Sequence, residues 1–284
     1  MLKTILIYVV FLFGVLLFVS RCVIYKKRIH DSKAYRIFAD HQVPFATYDT
    51  VIGGRHMHYA IAGIDSLPLL VFIHGSPGSW YRFMFFMYDP DMLKKFRMMS
   101  IDRPGYGFSD FGKVLRLDEQ EKLIMQIVEK LKNEKPIYLC GHSYGGALVC
   151  RMAADNPGYF KTLIIAAGAI DPELEKPESW RYLIKNKPLF WLIPGAFQPS
   201  NTELLFLKKD LDSLAPYLSR ITCQVCFIHG DKDGLVPIEE VAYGKKMLVN
   251  ASSMRIDTLF GAGHKIIRKN VGQMKKIFLE LVNK

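Results

Sequence analysis

Three residue types that could act together stand just after apolar runs. Ser143 lies in Gly141-His142-Ser143-Tyr144-Gly145-Gly146, directly after the run Ile137–Cys140. A serine hydroxyl is a weak nucleophile until a base takes its proton, and that base needs a carboxylate to orient it. Both types occur downstream, in the order Ser…Asp…His. Gln224–Ile228 runs into His229-Gly230-Asp231-Lys232-Asp233, and Met254–Leu259 runs into Phe260-Gly261-Ala262-Gly263-His264. Of eight histidines, only His264 has this placement. Ser143 and His264, with Asp233 or Asp231, are therefore the candidate nucleophile, base and orienting acid. Glycines on either side of Ser143 relieve the crowding of a tight strand–turn–helix junction.

Other chemistries find little support. Cys223-Gln224-Val225-Cys226 is a C-x-x-C, but it falls within an expected strand, where positions i and i+3 point to opposite faces. Without a second pair or a following helix N-terminus to activate a thiol, these read as buried structural cysteines. There is no P-loop, G-x-G-x-x-G or metal-ligand cluster, so no metal or cofactor is expected.

The candidate groups must be held by strands that all point one way. Apolar runs alternate with amphipathic helical stretches, which predicts an α/β fold with a mostly parallel central sheet flanked by helices. The expected strands are Leu69–Ile73, Arg97–Ile101, Ile137–Cys140, Leu163–Ala167, Gln224–Ile228 and Met254–Leu259, preceded by a hairpin over 48–62 that turns at Gly53-Gly54. Leu117–Asn133, Tyr144–Asp155, Pro237–Leu248 and Asn270–Val282 are expected helices. Each candidate group then sits past the C-terminal end of a strand, where open α/β sheets place their ligands. Residues 170–219 break the alternation. They carry Trp180, Tyr182, Phe190, Trp191, Ile193 and Phe197, punctuated by Pro188, Pro194 and Pro199, and are expected to form a short helical lid insertion.

Charge separates the ends from the body. The formal net charge is +11 over 284 residues. Residues 1–36 carry +6, residues 261–284 carry +5, and the body between them is neutral. A neutral body argues against a nucleic-acid partner. The uncharged run Thr4–Ser20 leads through Arg21 to Tyr25. As a helix, Thr4–Tyr25 is about 33 Å long, enough to span a bilayer if Arg21 snorkels. No A-x-A-like cleavage site follows, which disfavours the rival reading, a cleaved signal peptide. A transmembrane anchor over 1–25 and a basic linker over 26–44 are expected. The basic residues after the run place the main domain on the cytoplasmic side of a single-pass membrane protein. The basic C-terminal stretch is either a solvated helix face or a second contact with an anionic bilayer.

From about residue 45 to 284 the chain resembles an α/β-hydrolase. The matching pieces are His74-Gly75-Ser76-Pro77-Gly78, Asp102-Arg103-Pro104-Gly105-Tyr106-Gly107-Phe108-Ser109, the Ser143 turn, Gly230-x-x-Asp233-x-x-Val236-Pro237 and Gly263-His264. The resemblance implies Ser143 as nucleophile, His264 as general base and then acid, and Asp233 rather than Asp231 as the orienting acid. It also implies an oxyanion hole built from the backbone N–H groups of Ser76 and Tyr144. His74 and His142 then shape loops, and Asp102 and Arg103 are structural. Epoxide hydrolases and haloalkane dehalogenases share several of these pieces but use aspartate at the position of Ser143. A serine there favours hydrolysis of an ester or related acyl substrate through an acyl-enzyme, as in carboxylesterases and lipases. The aromatic lid points to a small molecule with an apolar acyl or aryl group. Alternatives on the same framework are a carbon–carbon hydrolase, a perhydrolase and a non-catalytic binding protein.

Overall fold

In the computed structural model, which describes residues 2–25, 28–176, 178–185, 190, 193 and 195–282, the expected hairpin forms as predicted. β1 (Phe45–Ile52) and β2 (Arg55–Ala62) pair antiparallel, with Ile52 opposite Arg55. Gly53 and Gly54 fill the two-residue turn at φ +55° and +73°, a conformation that side-chain-bearing residues adopt with strain.

The remaining strands are β3 (Leu69–Ile73), β4 (Arg97–Ile101), β5 (Ile137–His142), β6 (Thr162–Ala166), β7 (Gln224–Gly230) and β8 (Ser253–Leu259). They form one eight-stranded sheet in the order β1-β2-β4-β3-β5-β6-β7-β8. β3 to β8 run parallel, and β2 joins β4 antiparallel. The sheet is thus mostly parallel, with an antiparallel pair of strands at one edge.

Strand periodicity divides the core into two layers. Val71, Leu139, Leu163, Ile165, Val225 and Phe227 face one side. There they meet helix α3 (Leu117–Leu131) through Ile124, Ile127 and Val128, and helix α4 (Tyr144–Asp155). Leu70, Phe72, Cys140, Ile164, Cys226 and Ile228 face the other side. They pack on Trp80, Phe83, Phe86 and Phe278, the last from the closing helix Val271–Val282. Cys223 and Cys226 pack against opposite layers. Burial raises both thiols, Cys223 to about 11, so neither forms a thiolate readily.

Residues 170–219 contain a short helix, Trp180–Ile184, and an 18-residue helix, Phe197–Leu214, here called the crossing helix. It sends Leu207, Leu211 and Leu214 into the first layer. Trp180, Tyr182 and Phe197 are each more than 40% exposed, so the aromatic content does not pack this segment from within. Pro188, Trp191 and Pro194 lie outside the described residues.

The N-terminal expectation is overturned. Leu2–Tyr25 is helical, but among the described residues no helix is long and apolar enough to cross a membrane. The uncharged run between Lys3 and Arg21 measures roughly 26 Å at ~1.5 Å per residue, short of a ~30 Å hydrocarbon layer. The transmembrane anchor, the membrane partner, the single-pass localisation and the cytoplasmic orientation derived from it therefore fall together.

Within the expected linker, Asp31–Asp40 is a helix that buries Ala34 and Phe38. Phe38 stacks on Phe45 of β1, with ring centroids 3.8 Å apart. At the other end of the chain, Lys275 bridges Asp89 at 3.0 Å and Asp91 at 3.2 Å. Part of the basic C-terminal charge is thus neutralised inside the fold.

Candidate active site

β5 hands over to α4 at Ser143, whose backbone sits at φ +57°, ψ −124°. A non-glycine residue at positive φ is strained, and such strain concentrates at functional turns. Two neighbours explain how the turn is accommodated. A side chain on Gly145 would meet the Ile73 carbonyl, and one on Gly75 would come within 2.7 Å of Ser143 Cβ. The serine is therefore lifted clear of the sheet between the ends of β3 and β5.

Ser143 Oγ lies 2.9 Å from His264 Nε2, and His264 Nδ1 lies 2.8 Å from Asp233 Oδ2. The other oxygen of Asp233 accepts the Leu235 and Val236 N–H groups, each at 3.0 Å. Burial opposes ionisation of Asp233, but these bonds and the one from His264 hold its carboxyl below the usual range. Asp231 turns elsewhere and accepts the Gly261 N–H at 2.6 Å. Asp233, not Asp231, is the carboxylate that reaches His264.

His142 and His74, the two histidines that flank Ser143, are neutral. His142 bonds through Nε2 to the His264 carbonyl at 2.9 Å. Burial, then His264, pushes its pKa down to about 3. His74 Nε2 accepts the Arg103 N–H at 3.1 Å, so its Nδ1 carries the proton and donates to the Gly75 carbonyl at 2.7 Å. Burial and the Arg103 charge hold His74 well below its ordinary pKa. Both rings fix backbone on either side of Ser143.

Arg103 is the hub behind this backbone. Fully buried, it donates from Nε to the His74 carbonyl at 2.8 Å and from one terminal nitrogen to Gly75 at 3.3 Å. It also pairs in bidentate fashion with Glu203 at 2.8 and 2.9 Å and bonds Gln120 at 2.9 Å. Its guanidinium lies 4.7 Å from the Tyr106 ring centre and 4.3 Å from that of Tyr144. Burial works against the Arg103 charge, but Glu203 more than restores it. Tyr106 donates its hydroxyl to Glu203 and stands 3.0 Å from Ser76 Oγ, which donates to Ser200 at 2.8 Å. Ser76 and Tyr144, the implied oxyanion-hole residues, are thereby tied to one network. The amide of Tyr144 opens α4, where the helix dipole favours negative charge.

Asp102 accepts the Trp80 N–H at 2.8 Å and the Phe108 N–H at 2.9 Å. Burial raises its pKa to about 6.

Glu203, Ser200 and Asp210 escaped the sequence reading. Asp210 pairs with Arg116 and accepts the Leu117 N–H at 3.3 Å. The available signal was helical spacing: Ser200, Glu203, Leu207, Asp210 and Leu214 share one face of the crossing helix, so its acids sit within an apolar stripe.

Two cavities meet at Ser143. One, of about 350 Å³, includes Gly75, Arg82, Phe197, Lys265 and Arg268 in its wall. The other, of about 360 Å³, includes Ala169, Leu174, Leu204, Leu207 and Val236. Ser76, Ser143, Leu235 and His264 line both. Among the described residues no His/Cys/Asp/Glu group is arranged to hold a metal ion.

The alpha/beta hydrolase fold family matches residues 68–211, from β3 into the crossing helix, and the chain belongs to it. It is 33% identical over 111 residues to "Epoxide hydrolase 1" of Caenorhabditis elegans, over 38% of this chain and 27% of that protein. It is 32% identical over 114 residues to "AB hydrolase superfamily protein YfhM" of Bacillus subtilis (strain 168), over 39% of each. The chain thus spans about a third of the length of these curated relatives. The solved epoxide hydrolase CorEH is similar at a TM-score of 0.66 and 18% identity, over 84% of this chain and 98% of that one. At that identity the likeness is one of fold.

Proposed function

We propose that this chain is a serine hydrolase that cleaves an ester or related acyl substrate without a cofactor. Its catalytic unit is residues 45–284, with 170–219 as the lid. The observation that carries the reading is the Ser143–His264–Asp233 relay, with contacts of 2.9 and 2.8 Å. His264 Nε2 takes the Ser143 proton as Oγ attacks the substrate carbonyl, and Asp233 stabilises the imidazolium that forms. The backbone N–H groups of Ser76 and Tyr144 receive the developing oxyanion. His264 then returns the proton to the leaving alcohol, and water repeats the sequence on the acyl-enzyme. The apolar wall of Leu174, Leu204, Leu207 and Val236 suits a hydrocarbon portion of the substrate.

Five of the matched relatives are named epoxide hydrolases, but by the family resemblance that chemistry uses aspartate at the strand–helix turn where this chain has Ser143. An activated phosphonate should label the native chain and not Ser143→Ala, and only the native chain should hydrolyse short aryl esters. Native protein that fails to label, or a variant that turns over esters equally well, refutes the proposal.

A further inference from the structure

The two cavities that meet at Ser143 differ in charge. The wall containing Leu204 and Leu207 also carries two carboxylates, Glu175 and Glu178, beside Lys176 and Arg181. Arg82, Lys265 and Arg268 line the other cavity, and among the described residues no carboxylate does. Arg82 sits on the turn Trp80–Phe83 that follows the His74–Gly78 loop. Lys265 adjoins His264, and Arg268 lies on the short helix Ile266–Lys269. Three separate positions thus converge on one cavity.

Lys275 bridges Asp89 and Asp91, and Arg255 is held by Asp257 and Glu280. No such ion pair with a described carboxylate engages Arg82, Lys265 or Arg268, and all three line the space beside Ser143, the Arg82 guanidinium lying 5.5 Å from the Tyr81 ring centre. We propose that this cavity is a subsite for an anionic group, a carboxylate or a phosphate, carried by the substrate, while the apolar part lies across Ser143 in the opposite cavity. The inference rests on the serine-hydrolase reading and names its substrate class: an ester with one charged and one hydrocarbon end. The opposite cavity, where Glu178 pairs with Arg181 at 2.6 Å and Glu175 stands beside Lys176, has no net charge, so the cations of the first cavity set the substrate's direction.

The test compares kcat/KM for matched esters. Phenyl hexanoate is set against 4-(hexanoyloxy)benzoate and 4-(hexanoyloxy)phenyl phosphate, which place the anion on the alcohol side. 4-Nitrophenyl hexanoate is set against 4-nitrophenyl hydrogen adipate, which places it on the acyl side. The native chain should prefer at least one anionic member by about tenfold at low ionic strength, and added salt should shrink that preference. The preference should disappear in Arg82→Gln/Lys265→Gln/Arg268→Gln. It should fall by several-fold in Lys265→Gln/Arg268→Gln, which changes only exposed side chains. The carboxylate and phosphate arms distinguish the two anions. Native protein that hydrolyses neutral and anionic esters equally, or a triple variant that keeps the preference, overturns the subsite and leaves the hydrolase reading standing. Native protein that neither hydrolyses any ester nor accepts the phosphonate overturns both.

Discussion

Glu203→Gln would remove the counter-charge from an arginine that water cannot reach. Arg103 is fully buried and Glu203 is 1% exposed. The substitution keeps the volume and one acceptor oxygen, so Arg103 retains its bonds to His74, Gly75 and Gln120. Removing one partner of a buried pair costs about 3–5 kcal/mol, and the surviving bonds place this variant at about 3 kcal/mol. For a domain of this size that is a fall in Tm of roughly 6–12 °C. The midpoint of urea unfolding measures it directly. Arg103→Met should be similarly destabilising, and the double variant should recover about 2 kcal/mol relative to the sum of the singles, because neither then strands a charge. Kinetics supply a second readout. Arg103 pins the carbonyls preceding Ser76, so kcat on a simple ester should fall more than KM rises. Additivity within about 0.5 kcal/mol, or unfolding unchanged in Glu203→Gln, would refute the view that this pair holds the crossing helix to the loop beside Ser143.

Three other outcomes are expected. Asp233→Asn should lower kcat by about 10³–10⁴-fold, because the amide no longer orients and stabilises the His264 ring; Asp231→Asn, which keeps an oxygen to accept the Gly261 N–H, should lower it less than about tenfold, and equal losses would refute the assignment. As pH falls, log kcat/KM should decline with a slope of one. Asp233 is held ionised, and burial pushes His142 down to about 3 and holds His74 and His229 below their ordinary values, so the base itself is the single group whose protonation should stop the reaction, and a slope of two would contradict this. Glu240 accepts the Ile170 and Asp171 N–H groups at 2.8 and 2.7 Å, and burial pushes its pKa up to about 8. A carboxyl raised on folding contributes stability below its unfolded pKa near 4.5 and loses it as pH rises through about 8. Glu240→Gln should therefore be more stable than the native chain at pH 8.5 and no more stable at pH 5, as read from urea midpoints; parallel stability curves would refute it.

Most of the strand framework was legible because buried parallel strands are short apolar runs, and each run ends in the polar group it presents. Leu69–Ile73, Ile137–Cys140 and Gln224–Ile228 all appear as strands within two residues of expectation. The helix Asp31–Asp40 was missed because only Ala34 and Phe38 bury, too few to mark a period amid Lys33, Arg36 and Asp40. The N-terminal span was misjudged by counting apolar residues through Arg21, a charge that breaks the run before it reaches bilayer thickness.

Sequence alone determined the order of Ser143, Asp233 and His264 and the strand ends that carry them, since both follow from local pattern along the chain. It left Asp231 and Asp233 distinguishable only by resemblance, because each lies in the same turn after β7. Tertiary structure decided between them by pointing one carboxylate at His264 and the other at the Gly261 amide. Tertiary structure also decided that Arg103 would meet Glu203, one hundred residues away in sequence. A buried ion pair has no local signature: its partners are selected by where two layers of the fold close, and by the need for a charge shut away from water to find its opposite.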